Sequence, residues 1–270
     1  MHVLPFTADV RGLTLRGTHY LPDAAPGGDG DPSPDAPTAV LLHGFGGSRV
    51  ETTGVFVTLA RALAAAGVGV VAFDRAGHGE SDGEFFNTTA SGDIADTAVV
   101  LAAVRALPGV AADDIHLVGM SLGSVIAAAV AAEDGGIRSL TLWSTASVFV
   151  EDIRDGQIQG RSLAGLDEPG GYFDFLGMRM GPAMRRDALE FDPYARAAAY
   201  AGPALLLHGT LDFVPVRCAE RYTRDDVFGE RAELVVVEGA DHGWAQLPQR
   251  DELIARTTDF LSSHTRKATR

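Results

Sequence analysis

Along most of this chain short apolar runs alternate with longer alanine-rich segments, but the opening is different. Residues 3–9 and 13–21 switch between apolar and polar positions with a period of two around Val10-Arg11-Gly12, the pattern of an antiparallel hairpin. Residues 22–37 then crowd Gly, Pro and Asp together. That composition cannot bury surface and predicts a mobile loop, not a domain boundary, because two strands alone do not make a domain. From Thr38 on, residues 39–42, 68–73, 115–118, 137–143, 204–207 and 234–237 are apolar throughout, as strands covered on both faces should be. Helical segments are expected between them at 56–66, 90–107, 122–132, 216–222 and 251–264. This repetition predicts an α/β fold, with a mostly parallel twisted sheet, helices on both faces and the antiparallel hairpin at its start. Residues 144–202 break the rhythm. They are too long for one crossover and carry an aromatic and methionine-rich patch, Tyr172, Phe173, Phe175, Met178, Met180 and Met184, so they read as a functional insertion.

The length of 270 residues fits one domain, 1–270, with 144–202 inserted in it. Lys and Arg number 22 against 36 Asp and Glu, a formal charge of −14 with no basic run, so neither nucleic acid nor an anionic membrane is an expected partner. No apolar run approaches the roughly 18–20 residues of a membrane span, and no signal-like segment opens the chain, so it reads as soluble and cytoplasmic. The single cysteine, Cys218, excludes an intrachain disulfide and is expected to be a small buried hydrophobe. His43, His78 and His208 lack metal-ligand spacing, and no phosphate-binding glycine motif is present. No metal and no cofactor is therefore expected.

The chemistry concentrates in Gly119-Met120-Ser121-Leu122-Gly123, a Gly-x-Ser-x-Gly motif between an apolar strand and an alanine-rich helix. A reversal this sharp strains the serine backbone, and the glycines spare neighbouring segments a clash. Ser121 Oγ should then stand at the carboxyl end of the sheet, over the positive end of the following helix. A serine hydroxyl needs a base to take its proton and an acid to orient that base. His208-Gly209-Thr210-Leu211-Asp212 and Gly239-Ala240-Asp241-His242-Gly243 each follow a predicted strand, which places Asp212 and His242 on loops at the same sheet edge as Ser121. Asp241 and Asp74 are rival acids. Asp241 is expected to point away from its neighbour, and Asp74 to bond the Gly77-His78-Gly79 turn. His43-Gly44-Phe45-Gly46-Gly47 has the glycine content to expose an amide to a developing oxyanion. Phe45 N–H and Leu122 N–H are the expected pair of donors, each typically worth about 3–4 kcal/mol in the transition state.

With these motifs the chain resembles the α/β-hydrolase superfamily, whose order of Ser, Asp and His it shares. It is most similar to the bacterial feruloyl (cinnamoyl) esterases. The resemblance runs from about Thr38 onward through His43-Gly44-Phe45, the segment Phe73-Asp74-Arg75-Ala76-Gly77-His78-Gly79-Glu80-Ser81-Asp82-Gly83, the serine motif, and the Asp212 and His242 loops. It implies the α/β-hydrolase fold with an inserted lid at 144–202, and a lid whose acidic and amide side chains meet the phenolic end of the substrate. Asp152 and Gln159 stand at the matching positions. The family's lid tyrosine has no counterpart, its place falling near Met184.

The expected activity is carboxylic ester hydrolysis through an acyl-enzyme on Ser121, with a small-molecule ester of apolar or aromatic acyl group as partner. The triad alone does not separate an esterase from a thioesterase or an amide-cleaving hydrolase, and a non-catalytic small-molecule-binding protein on the same fold is the alternative of a different class. The reading leaves room for a homodimer.

Overall fold

The computed structural model describes residues 1–23 and 35–266. The loop expected at 22–37 falls for the most part on residues 24–34, outside those described, and its last two residues already begin a strand. In chain order the elements are β1 (His2–Val10), β2 (Leu13–Leu21), β3 (Ala36–Leu42), α1 (Val55–Ala65), β4 (Gly69–Phe73), α2 (Ala90–Arg105), β5 (Val110–Met120), α3 (Leu122–Glu133) and β6 (Ile137–Trp143). The segment after β6 holds α4 (Val148–Arg154), β7 (Gln157–Ile158), β8 (Arg161–Ser162), β9 (Phe173–Phe175), β10 (Met178–Met180), α5 (Pro182–Glu190) and α6 (Pro193–Ala197). The chain returns through β11 (Ala204–Gly209), α7 (Arg217–Tyr222), β12 (Ala232–Val237) and α8 (Leu247–His264).

Among the described residues eight strands form one sheet in the order β1-β2-β4-β3-β5-β6-β11-β12. The pairs β1–β2 and β2–β4 are antiparallel and the others parallel, which is the predicted architecture. Arg11 and Gly12, both at positive φ, close the hairpin in the two-residue turn whose twist matches its strands. Against one face of the sheet pack α1 and α8 through Phe56, Leu59, Leu63, Leu253 and Leu261. Against the other pack α2 and α3, with the β6–β11 segment continuous with that core. Trp143, buried on β6, meets Phe56 edge to face and donates its indole N–H to Thr257 Oγ1 on α8 at 3.0 Å, fixing the helix to the sheet.

One pairing lay beyond any local pattern, and one expectation needs correcting. Helix α2 carries acids on its buried side, Asp93 and Asp96, because they pair with Arg75 and Arg11 across the interface; hydrophobic period alone would not have placed that face. The strand β12 is not covered on both sides. It is the last strand of the sheet, and Glu233 and Val236 are exposed.

The segment between β6 and β11 is not one irregular loop. Three short helices and two small hairpins fold it around Phe173, Met180, Met184 and Phe191, all buried. Elements of two to nine residues are too short to leave a clear period in the sequence.

Candidate active site

Strand β5 ends at Met120, helix α3 begins at Leu122, and Ser121 takes the whole reversal at φ 56, ψ −122. A side chain on Gly119 would collide with the backbone of Gly123 and Ser124, and one on Gly123 with the carbonyl oxygens of Leu42 and His43. The turn therefore fits only with both glycines, because β3, β5 and α3 meet at van der Waals distance there. Ser121 N–H donates to Trp143 O at 2.9 Å, and Ser124 Oγ lies 2.6 Å from Gly119 O and 2.9 Å from Trp143 O, tying the elbow to β6.

The structure brings Ser121, His242 and Asp212 together. Ser121 Oγ lies 3.1 Å from His242 Nε2, and His242 Nδ1 lies 2.8 Å from Asp212 Oδ1. The Asp212 side chain is fully buried and also accepts Val214 N–H at 2.8 Å. Burial by itself would raise this carboxyl. The His242 hydrogen bond and charge, with smaller help from Ser144 and Val214 N–H, outweigh burial and hold it below its ordinary value. An ionised Asp212 fixes the imidazole with its proton on Nδ1 and its lone pair toward Ser121. The ring of Phe213 lies over His242, centroids 4.2 Å apart, and shields one face of the imidazole.

The rival acids are engaged elsewhere. Asp241 Oδ1 accepts Ala245 N–H at 2.8 Å, within its own turn. Asp74 is buried and accepts Arg49 N–H at 2.6 Å and Glu80 N–H at 3.0 Å, just past the 77–79 turn, besides pairing with the Arg49 guanidinium. The three expected histidines serve separate bonds: His43 Nδ1 with Gly44 O, His78 Nδ1 with Ala76 O, His208 Nε2 with Val214 O. Among the described residues no group of three or more His, Cys, Asp or Glu is placed to hold a metal ion. A second Ser–His–Asp contact exists, with Ser139 Oγ 2.7 Å from His116 Nδ1 and His116 Nε2 3.3 Å from Asp114. All three are buried, so no substrate could reach that serine.

Ser121 and His242 open on a cavity of about 800 Å³. Its walls include Phe45, Leu122, Phe149, Ile158, Phe175, Leu176 and Phe213, and also Asp152 and Gln159. Phe45 N–H and Leu122 N–H donate to no protein acceptor among the described residues, Leu122 because the first turn of a helix has none to offer. Asp152 Oδ2 accepts Gln159 N–H at 2.8 Å. The methionine-rich patch is corrected. Met180 and Met184 are buried inside the inserted segment, and of the six aromatic and methionine residues singled out there only Phe175 reaches the cavity. Sequence reasoning missed Glu51, Thr52, Phe149, Ile158, Phe213 and Arg217 as cavity residues. Phe213 could have been found from its place beside Asp212; the rest carry no local signal.

A model of the alpha/beta hydrolase family matches residues 39–256, and the chain belongs to that family. Monoacylglycerol lipase of Mycolicibacterium smegmatis is 25% identical over 95% of this chain and 96% of its own. Among solved structures, Est1E from Butyrivibrio proteoclasticus with ferulic acid bound is similar at a TM-score of 0.83, with 23% identity over 96% of this chain and 98% of that one. The monoacylglycerol lipase of Paleococcus ferrophilus has a TM-score of 0.67 and 22% identity, over 93% of this chain and 99% of its own. Among the described residues no helix is long and apolar enough to cross a membrane.

Proposed function

We propose that this protein hydrolyses carboxylic esters through an acyl-enzyme on Ser121, with a flat aromatic acyl group in the cavity. The observation that carries the reading is the unbroken contact from Asp212 through His242 to Ser121, opening on an apolar cavity beside two unengaged amides. Ser121 Oγ attacks the ester carbonyl while His242 Nε2 takes its proton, and Phe45 N–H and Leu122 N–H receive the oxyanion. The proton passes from His242 to the leaving alcohol, and water repeats the sequence to release the acid. Residues 144–202 act as the lid of this site, contributing Phe149, Ile158 and Phe175 to the acyl wall and Asp152 to its polar end. Asp152 Oδ1 has no protein donor among the described residues, so it is available to a phenolic hydroxyl of a hydroxycinnamoyl group.

A second reading, monoacylglycerol-type esters with alkyl chains, is favoured by the exposed Leu176 and Phe213 among the cavity residues and by the lipase relatives. The two separate in a panel of methyl ferulate, methyl cinnamate, a monoacylglycerol and an acyl thioester, compared by kcat/KM in wild type and Asp152→Ala. The aromatic reading expects Asp152→Ala to lose roughly 10- to 150-fold on the hydroxylated ester alone, the value of a hydrogen bond to a charged group. Equal loss on all esters, or a strong preference for the monoacylglycerol, overturns it.

A further inference from the structure

The donor role given to Phe45 N–H depends on where that bond points, and its direction is decided one residue earlier. In a trans peptide the N–H lies opposite the preceding carbonyl, so Phe45 N–H is aimed by whatever holds Gly44 O. Three donors converge on Gly44 O: His43 Nδ1 at 2.8 Å, Arg75 Nη2 at 2.8 Å and Gly47 N–H at 3.1 Å. On the other side of Gly44, its own N–H donates to Glu51 Oε1. The peptides before and after Gly44 are thus each gripped by a charged side chain. We infer that Glu51 and Arg75 are positioning residues, clamping Gly44 from its two sides so that Phe45 N–H stays aimed at the substrate oxyanion.

The surroundings fit this role. Arg75 is buried and pairs with buried Asp93, so the guanidinium on Gly44 O cannot swing away without leaving an unpaired charge in the core. Arg75 N–H donates to His43 Nε2 at 3.0 Å, which leaves the histidine proton on Nδ1, toward Gly44 O. Burial first, then Arg75 and His78, push His43 well below its ordinary value, so it stays neutral in that tautomer. A positive charge on Gly44 O also polarises the same peptide and makes Phe45 N–H a stronger donor. Glu51 is held at φ 57 in a strained turn with Thr53 at φ 54, a backbone cost that puts its carboxylate beneath the loop. The Phe45 ring is wedged among Phe85, Phe149 and Phe175, with centroids 4.7 to 5.0 Å away, so the side chain fixes the loop while the clamp sets the amide.

The inference rests on the esterase reading, and its test separates the two. Hydrolysis of an aryl ester and of its thionoester, in which sulfur replaces the carbonyl oxygen and is a poor acceptor, is compared in wild type, Glu51→Ala and Glu51→Gln. Losing one oxyanion donor costs about 10²–10³ in kcat. Release of the clamp is therefore expected to lower kcat on the oxygen ester by about 30-fold or more in Glu51→Ala, with KM and the thionoester rate nearly unchanged. Glu51→Gln keeps an acceptor for Gly44 N–H and is expected to restore most of the rate. Arg75→Lys, which keeps a charge for Asp93 but gives up a donor, is expected to show the same selective loss as Glu51→Ala. If Glu51→Ala lowers both esters alike, or keeps the wild-type ratio, or if Glu51→Gln falls as far as Glu51→Ala, the clamp is refuted. If wild type neither hydrolyses esters nor reacts with a fluorophosphonate, the esterase reading itself fails.

Discussion

Replacing Asp212 by Asn probes the candidate triad at its least ordinary atom. Asp212 Oδ1 accepts from His242 Nδ1 and from Val214 N–H, each at 2.8 Å, in a side chain with no exposure. An asparagine can satisfy Val214 N–H only with its carbonyl oxygen in the Oδ1 position, and there the same oxygen still accepts from His242. The productive tautomer then survives, and what disappears is one negative charge. A carboxylate and an imidazolium about 4 Å apart attract by about 4 kcal/mol at an effective dielectric of about 20, a factor of about 10³ in kcat. The opposite amide orientation would press two N–H donors together and enforce the wrong tautomer, with a loss of about 10⁴ in sites of this kind. The assay is kcat on a 4-nitrophenyl ester, with Asp241→Asn as control, together with the low-field proton resonance of His242 Nδ1–H. The expected outcome is a loss of about 10³ with the resonance retained, and little change in the control, whose carboxylate holds Ala245 N–H. A loss under tenfold, a lost resonance, or a crippled Asp241→Asn refutes the argument.

Ser121→Ala should fall below about a thousandth of wild-type kcat and lose labelling by a fluorophosphonate, with an unchanged melting temperature, because alanine bears the same strained φ. The folded Asp212 carboxyl lies below its ordinary 3.8, so its stabilising contribution is complete above that pH and lost as pH falls through the lower folded value. Asp212→Asn should therefore show a flatter dependence of melting temperature on pH below about 4; an unaltered acid limb would contradict that assignment.

The elements of the sheet were legible because each is encoded locally. Apolar runs of strand length, alanine-rich helices and the Gly-x-Ser-x-Gly turn all announce themselves within a dozen residues, and the structure shifts their ends by a few positions at most, apart from β5, which starts five residues early. The places of Ser121, Asp212 and His242, each just after a strand of the parallel part of the sheet, were enough to bring them to one edge, because parallel strands share one carboxyl end.

Tertiary structure decided everything that depends on direction. Asp212 faces His242 while Asp241 turns to Ala245, a choice between two loop carboxylates made by bonds such as Leu211 N–H to Ala240 O, which join segments 29 residues apart. Which aromatic and methionine residues of the inserted segment pack inside it, which reach the cavity and which, like Tyr172, stay exposed is decided only once its short helices and hairpins dock on the core. Glu51 and Arg75 meet at Gly44 from opposite sides because β3 and β4 are neighbours in the sheet. A sequence lists which groups are available and its periodicities say which segments become rigid. The aim of each group is set by hydrogen bonds and packing between residues far apart along the chain, and no local pattern contains those.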